Sequence, residues 1–139
     1  NKSRGRRKGK SMTEGSLKKI LIVDDEPNIV KILAARLKAA GFDVITANDG
    51  LSGLHTVYRE NPDLVIFDVM MPQMDGFTAC QKLKSDRRYQ DTPVLMLTAK
   101  TQEEDKNWGK MLGATDYITK PFDSKELVNK VKELLAIKE

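Results

Sequence analysis

Short apolar runs alternate with amphipathic stretches five times along this chain. The first run, Lys19-Ile20-Leu21-Ile22-Val23, has almost no polar break and predicts a strand. Glu26–Ala40 then spaces Ile29, Ile32, Leu33, Leu37 and Ala40 at a 3.6-residue period, a helix that Gly41 stops. A second strand is expected over Phe42–Ala47. A second helix follows over Asp49–Glu60, with Leu51, Leu54 and Tyr58 on one face. The third strand is Asp63–Asp68, and the third helix, Asp75–Ser85, turns Phe77, Cys80 and Leu83 inward. Pro93–Thr98 is the fourth strand and Thr101–Leu112 the fourth helix, ended by Gly113. Thr115–Thr119 gives a shorter fifth strand, and Asp123–Ile137 a last helix carrying Leu127, Val131, Leu134 and Leu135.

Strand and helix in strict alternation imply a parallel sheet with helices on both faces, an α/β doubly wound fold. Strands one, three and four are unbroken apolar runs, as strands covered on both faces are. Strand two alternates more and strand five is short, so both suit the edges. The expected architecture is a five-stranded (βα)5 sheet of flavodoxin-like order 2-1-3-4-5.

Composition adds boundaries. The 139 residues fit one domain, and 40% hydrophobic with 32% charged residues is ordinary for a folded globule. No apolar stretch approaches the roughly 20 residues of a membrane helix, and no leader pattern opens the chain, so neither membrane nor signal peptide is expected. Cys80 is the sole cysteine and can form no internal disulfide, which fits a reducing, cytoplasmic compartment.

The net charge of +4 belongs to one end. Residues 1–11 hold Lys2, Arg4, Arg6, Arg7, Lys8 and Lys10 without an acid, a local +6 that leaves −2 for the remainder. Residues 1–16 are therefore expected to be a disordered basic tail, a vector remnant or a linker before a start at Met12, and residues 17–139 the folded domain. Such a tail could touch nucleic acid electrostatically, but no aromatic residue interleaves its charges to stack on bases, so nucleic acid is not the expected partner of this chain alone.

Polar residues collect where the strands end. Strand one runs into Asp24-Asp25-Glu26, strand three into Asp68, strand four into Thr98-Ala99 and strand five into Lys120-Pro121. In a doubly wound sheet these carboxyl ends share one rim, where ligands bind near the switch point. Three carboxylates in close quarters repel one another, and a hard divalent cation, Mg²⁺ (or Mn²⁺), resolves the conflict with oxygen ligands. Asp25 and Asp68 are the expected direct ligands, with Asp24 acting mostly through water and the backbone carbonyl of Met70 supplying a further oxygen. Lys120 brings a movable positive charge and Thr98 a hydroxyl. The set suits phosphoryl transfer onto Asp68 as nucleophile. Pro72 is expected to bend the chain away from the site, with Asp75 capping the third helix and Gly76 allowing close backbone approach.

Each signal alone has a plainer explanation. An Asp after a strand commonly caps a helix, and an acidic pair before a helix favours its dipole. Four matching strand ends in order outweigh those explanations. His55 has no second histidine and is expected on the surface, and Cys80 in the core. Trp108, Met111 and Leu112 suit either a partner surface or simple packing.

With these residues together, the chain resembles the receiver domain of two-component response regulators over about residues 18–138. The resemblance rests on Asp24-Asp25 after strand one, D-x-x-M-P-x-M-D-G from Asp68, Thr98-Ala99, and G-A-T-D-Y-I-T-K-P-F through Lys120-Pro121-Phe122. It implies a phosphorelay in which the phosphohistidine of a sensor histidine kinase or phosphotransfer protein donates to Asp68. It further implies Thr98 and Tyr117 as a switch pair, a cis Lys120–Pro121 bond, and a downstream protein target meeting the face of the fourth helix, fifth strand and last helix. In similar domains the positions of Met70 and Lys100 tune phosphate lifetime. Neither side chain can accept a hydrogen bond from a hydrolytic water, so slow self-dephosphorylation is expected. The fourth helix opens with two polar turns and contains Gly109, so it is expected to be the soft switch element.

On this reading the chain is a stand-alone regulator that catalyses only its own phosphorylation and dephosphorylation. Alternatively it is a receiver from a larger protein with a DNA-binding or enzymatic output domain. An aspartate-nucleophile phosphatase would carry a second Asp where Met70 stands. A flavin or nucleotide binder would carry a glycine-rich loop after strand one, where Asp24-Asp25-Glu26-Pro27 stands instead.

Overall fold

Five short strands, β1 (Lys19–Val23), β2 (Asp43–Ala47), β3 (Leu64–Asp68), β4 (Val94–Thr98) and β5 (Asp116–Thr119), form one parallel sheet in the order β2-β1-β3-β4-β5. The computed structural model describes residues 17–71, 73–98 and 113–138. The basic tail, Pro72, Ala99, Lys100 and the expected fourth helix with Gly109, Trp108, Met111 and Leu112 lie outside the described residues. The described helices are α1 (Pro27–Ala39), α2 (Gly50–Glu60), α3 (Gly76–Lys84) and a C-terminal helix (Ser124–Lys138), with a 3₁₀ turn at Arg87–Tyr89.

The unbroken apolar runs now have their cause. Successive residues of a strand point to opposite faces, and both faces are covered. Ile20, Ile22, Leu64, Ile66, Leu95 and Leu97 pack with Leu33 and Leu37 of α1 and Leu127 and Val131 of the C-terminal helix. Leu21, Val23, Val65, Phe67, Val94 and Met96 pack with Leu54 and Val57 of α2 and Ala79, Cys80 and Leu83 of α3. Every residue of β3 and β4 is buried, whereas β2 and β5 are partly open, as edge strands should be.

The turns follow local chemistry. Asp49 and Asp75 cap α2 and α3, accepting from Ser52 N and Thr78 N at 2.8 Å each. Helix α1 ends at Ala39, and Gly41 takes up φ +100°, a conformation open to glycine at little cost. The Lys120–Pro121 bond is cis, as the resemblance implied.

Two expectations about helix faces need correction. Leu51 and Tyr58 do not share the buried face of α2 with Leu54; both are exposed, and Gly53, Thr56 and Val57 pack inward instead. Ile32 is likewise exposed on α1, where Leu33 and Leu37 carry the contact. In each helix part of the predicted apolar stripe falls outside the buried arc.

Candidate functional site

Strand register brings the acidic residues together. Val23 pairs with Phe67 across β1 and β3, so Asp24, one residue on, comes level with Asp68, the last residue of β3. Neighbouring strands lie about 4.8 Å apart, which makes the two carboxylates neighbours. One carboxylate oxygen each from Asp24, Asp25 and Asp68 fall within 4.8 Å of one another. Asp24 and Asp68 are buried, at 1% and 4% exposure, while Asp25 is open to solvent.

Lys120 arrives from the other side. Thr98 pairs with Thr119 across β4 and β5, and Lys120 N donates to Thr98 O at 2.7 Å. Strand β5 is two places from β3, about 10 Å, and a lysine stem is long enough to cross the small Thr98. Its Nζ stands 3.3 Å from Asp68 Oδ1, 3.4 Å from Asp24 Oδ2 and 3.2 Å from Glu26 Oε1. Thr98 itself is buried at the end of β4. Tyr117 is half-buried on β5, its backbone paired with Met96 and its side chain against the α2–α3 side of the core.

The loop after β3 is held tightly. Val69 N donates to Leu97 O, and Gly76 N donates back to Val69 O, both at 2.9 Å. A Cβ on Gly76 would strike the Asp68 carbonyl oxygen, so the close approach expected of this glycine is required. Gln73 takes up φ +73°, and this left-handed residue helps turn the chain. Met70 is exposed, and its N–H donates to the Asp68 carboxylate.

Burial is the main cause that raises the Asp68 carboxyl to about 6, and the charge of Asp24 adds to it; Lys120 and the Met70 N–H pull the other way. Burial alone would lower Lys120, but Asp68, Asp24 and Glu26 outweigh it and hold the ammonium above its ordinary value. One ammonium thus pairs with three carboxylates, Asp25 stands close by, and the cluster retains a surplus of negative charge. An all-oxygen donor set with that surplus fits a small hard dication.

Among the described residues, Glu26 is the one participant that the strand-end pattern did not single out. The acidic run Asp24-Asp25-Glu26 was visible, but its reach to Lys120 depends on the turn into α1. His55 is exposed, as expected, on α2. Cys80 is buried, as expected, and burial raises its thiol to about 11.

A buried aspartate thus sits at the switch point of a doubly wound sheet, beside two further acidic residues and a lysine. The chain belongs to the response regulator receiver domain family, whose model matches residues 20–132. Over 117 residues it is 48% identical to the DNA-binding dual master transcriptional regulator RpaA of Synechocystis, a match covering 84% of this chain and 48% of that protein. The chain spans about half the length of the curated relatives it matches. A crystal structure of a response regulator from Chloroflexus aurantiacus is 38% identical with a TM-score of 0.84, covering 87% of this chain and 99% of that one. The receiver domain of sensor histidine kinase PA1611 from Pseudomonas aeruginosa, described with a magnesium ion coordinated in its active site cleft, is 26% identical with a TM-score of 0.80, covering 87% and 99%.

Proposed function

We propose that this receiver domain accepts a phosphoryl group on Asp68 from a phosphohistidine and thereby changes the surface it offers to a downstream protein. The observation that carries this reading is the position of Asp68: buried at the end of β3, 3.3 Å from Lys120 Nζ and within 4.8 Å of two further carboxylates. An Asp68 carboxylate oxygen attacks phosphorus. The new O–P bond forms as the N–P bond breaks, and the imidazole leaves with that electron pair and takes up a proton. Lys120 offsets the charge gathering on the phosphoryl oxygens, and the Thr98 hydroxyl donates to one of them.

Asp24, Asp25, Asp68 and the Met70 carbonyl would hold Mg²⁺ (or Mn²⁺), as a relative's magnesium-bound cleft supports. When bound, the ion supplies charge neutralisation that lets a phosphoryl dianion approach the acidic rim. Thr98 and Tyr117 act as the switch pair, biasing the face around β5 and the C-terminal helix between two states. The domain turns over no separate substrate. Among the described residues no helix is long and apolar enough to cross a membrane, and the cytoplasm is the proposed site of action.

The similarity to RpaA favours a DNA-binding output as the downstream target, reached through a longer regulator. Incubation with acetyl phosphate, with and without Mg²⁺, tests the core of this reading. Mass spectrometry should show one added phosphoryl group that needs the ion and is lost in Asp68→Asn. Ion-independent labelling, or labelling that survives the substitution, would overturn it.

A further inference from the structure

Lys120 has two buried partners, Asp24 and Asp68, that the acceptor chemistry already requires. Its third partner is different in kind. Glu26 is 60% exposed, stands at the solvent side of the site, and is no part of the expected metal-holding set, yet its contact with Lys120 at 3.2 Å is the shortest of the three. An exposed ion pair is ordinarily worth little, so distance alone would not single it out.

The second observation comes from α1. Glu26 occupies the N-cap position of that helix, with φ −96° and ψ 107°, but its side chain makes no capping hydrogen bond. Glutamate is a poor substitute for the Ser, Thr, Asp or Asn that cap well, and forgoing a cap costs about 1 kcal/mol. Glu26 N is meanwhile pinned by donation to Asp24 Oδ1 at 3.0 Å. The backbone is fixed at a helix start, and the side chain leaves that helix start unserved to reach across to Lys120.

We propose that Glu26 is a charge gate at the mouth of the acceptor site: it occupies Lys120 from the solvent side and discriminates between phosphoryl donors by their charge. The proposal rests on Asp68 being the phosphoacceptor. The contacts of Glu26 and Asp68 with Lys120, 3.2 and 3.3 Å, bound the separation of the two carboxylate oxygens at 6.5 Å. A phosphoryl group on Asp68 Oδ1 has the Glu26 charge at about that distance and competes with it for the ammonium. At this separation and the dielectric of water, removing one negative charge speeds the approach of a dianion about ninefold and of a monoanion about threefold. With a Debye length of about 8 Å at physiological ionic strength, those factors fall to about threefold and less than twofold.

The test uses the whole chain with Mg²⁺, comparing wild type, Glu26→Gln and Glu26→Ser, with Asp68→Asn alongside. Glu26→Gln keeps shape and removes charge. Glu26→Ser removes the reach and supplies a good cap, so a folding defect cannot account for its behaviour. Phosphorylation rates are measured at low and physiological ionic strength with acetyl phosphate, a dianion near neutral pH, and phosphoramidate, predominantly a monoanion. Both Glu26 variants should be faster, more so with acetyl phosphate, and the gain should shrink with salt. Rates unchanged for both donors at low salt, or an equal and salt-independent gain for both, would overturn the gate while leaving Asp68 labelling intact. Failure of wild type to be labelled at all, in the same series, would overturn the acceptor reading and the gate with it.

Discussion

Asp68→Asn should stabilise the metal-free domain, although it removes the residue on which the proposed function turns. Burial and the neighbouring Asp24 raise the Asp68 carboxyl from an ordinary 3.8 to about 6. A rise of one pH unit in a carboxyl group's pKa corresponds to about 1.4 kcal/mol, so ionising this group at neutral pH costs up to about 3 kcal/mol of folding stability. Asparagine keeps the volume, carries no charge and retains an oxygen to accept from Met70 N. The value of about 6 already includes the pull of Lys120, so the net gain at pH 7 is at most about 3 kcal/mol. The pH dependence has a definite sign. Because the folded value is the higher one, the penalty is full above about 6 and gone below about 4, and the contribution of this group to stability rises as pH falls through that window. Urea unfolding in EDTA at pH 7.5 and pH 4.5 would show it: the variant should lead wild type at the higher pH, and the lead should shrink by more than half at the lower. Saturating Mg²⁺ should stabilise wild type by mass action and close the gap from the other side. A variant less stable than wild type in EDTA at pH 7.5, or a difference that does not change with pH, would refute the reasoning.

Other expectations follow from single contacts. Gly76→Ala places a methyl against the Asp68 carbonyl oxygen, a backbone atom that cannot step aside, and should cost about 1–3 kcal/mol in denaturant unfolding while slowing acetyl phosphate labelling. Tyr89→Phe removes the 2.8 Å hydrogen bond from the Tyr89 hydroxyl to Asn61 Oδ1, far from the rim, and should lower stability by about 1 kcal/mol with labelling rates unchanged. Once formed, the Asp68 phosphoryl group should be long-lived, because exposed Met70 offers no acceptor to hold a hydrolytic water; a half-life of seconds in the purified protein with Mg²⁺ would contradict this.

Much of the fold was legible because each strand end is marked twice, once by the apolar run and once by the polar residue that stops it. Asp68, Thr98 and Lys120 close β3, β4 and β5 in the positions that the parallel register then aligns. Helix faces were less legible. Leu51 and Tyr58 match the period of Leu54 yet face solvent, because periodicity shows that apolar residues share a side of α2 but not how wide an arc the sheet will cover. The left-handed turn at Gln73 left no trace either, since neither glycine nor asparagine marks it.

Glu26 shows where sequence reasoning stops and why. A run of three acidic residues before a helix reads as metal ligands or as dipole partners, and neither reading gives Glu26 a role of its own. The fold separates them. Asp24 continues β1 and is buried beside Asp68, Asp25 opens to solvent, and Glu26 starts a helix that it does not cap. Identical charges in one short run thus meet Lys120 from inside and from outside the site. The two positions differ in what a phosphoryl group needs from them. Asp24 lies in the buried cluster whose surplus charge a dication can absorb, whereas Glu26 stays on the solvent side, where an incoming phosphoryl group competes with it for Lys120. Donor discrimination is therefore a property that belongs to the third acidic residue and not to the first two, and it follows from the turn into α1 rather than from the acidic run itself.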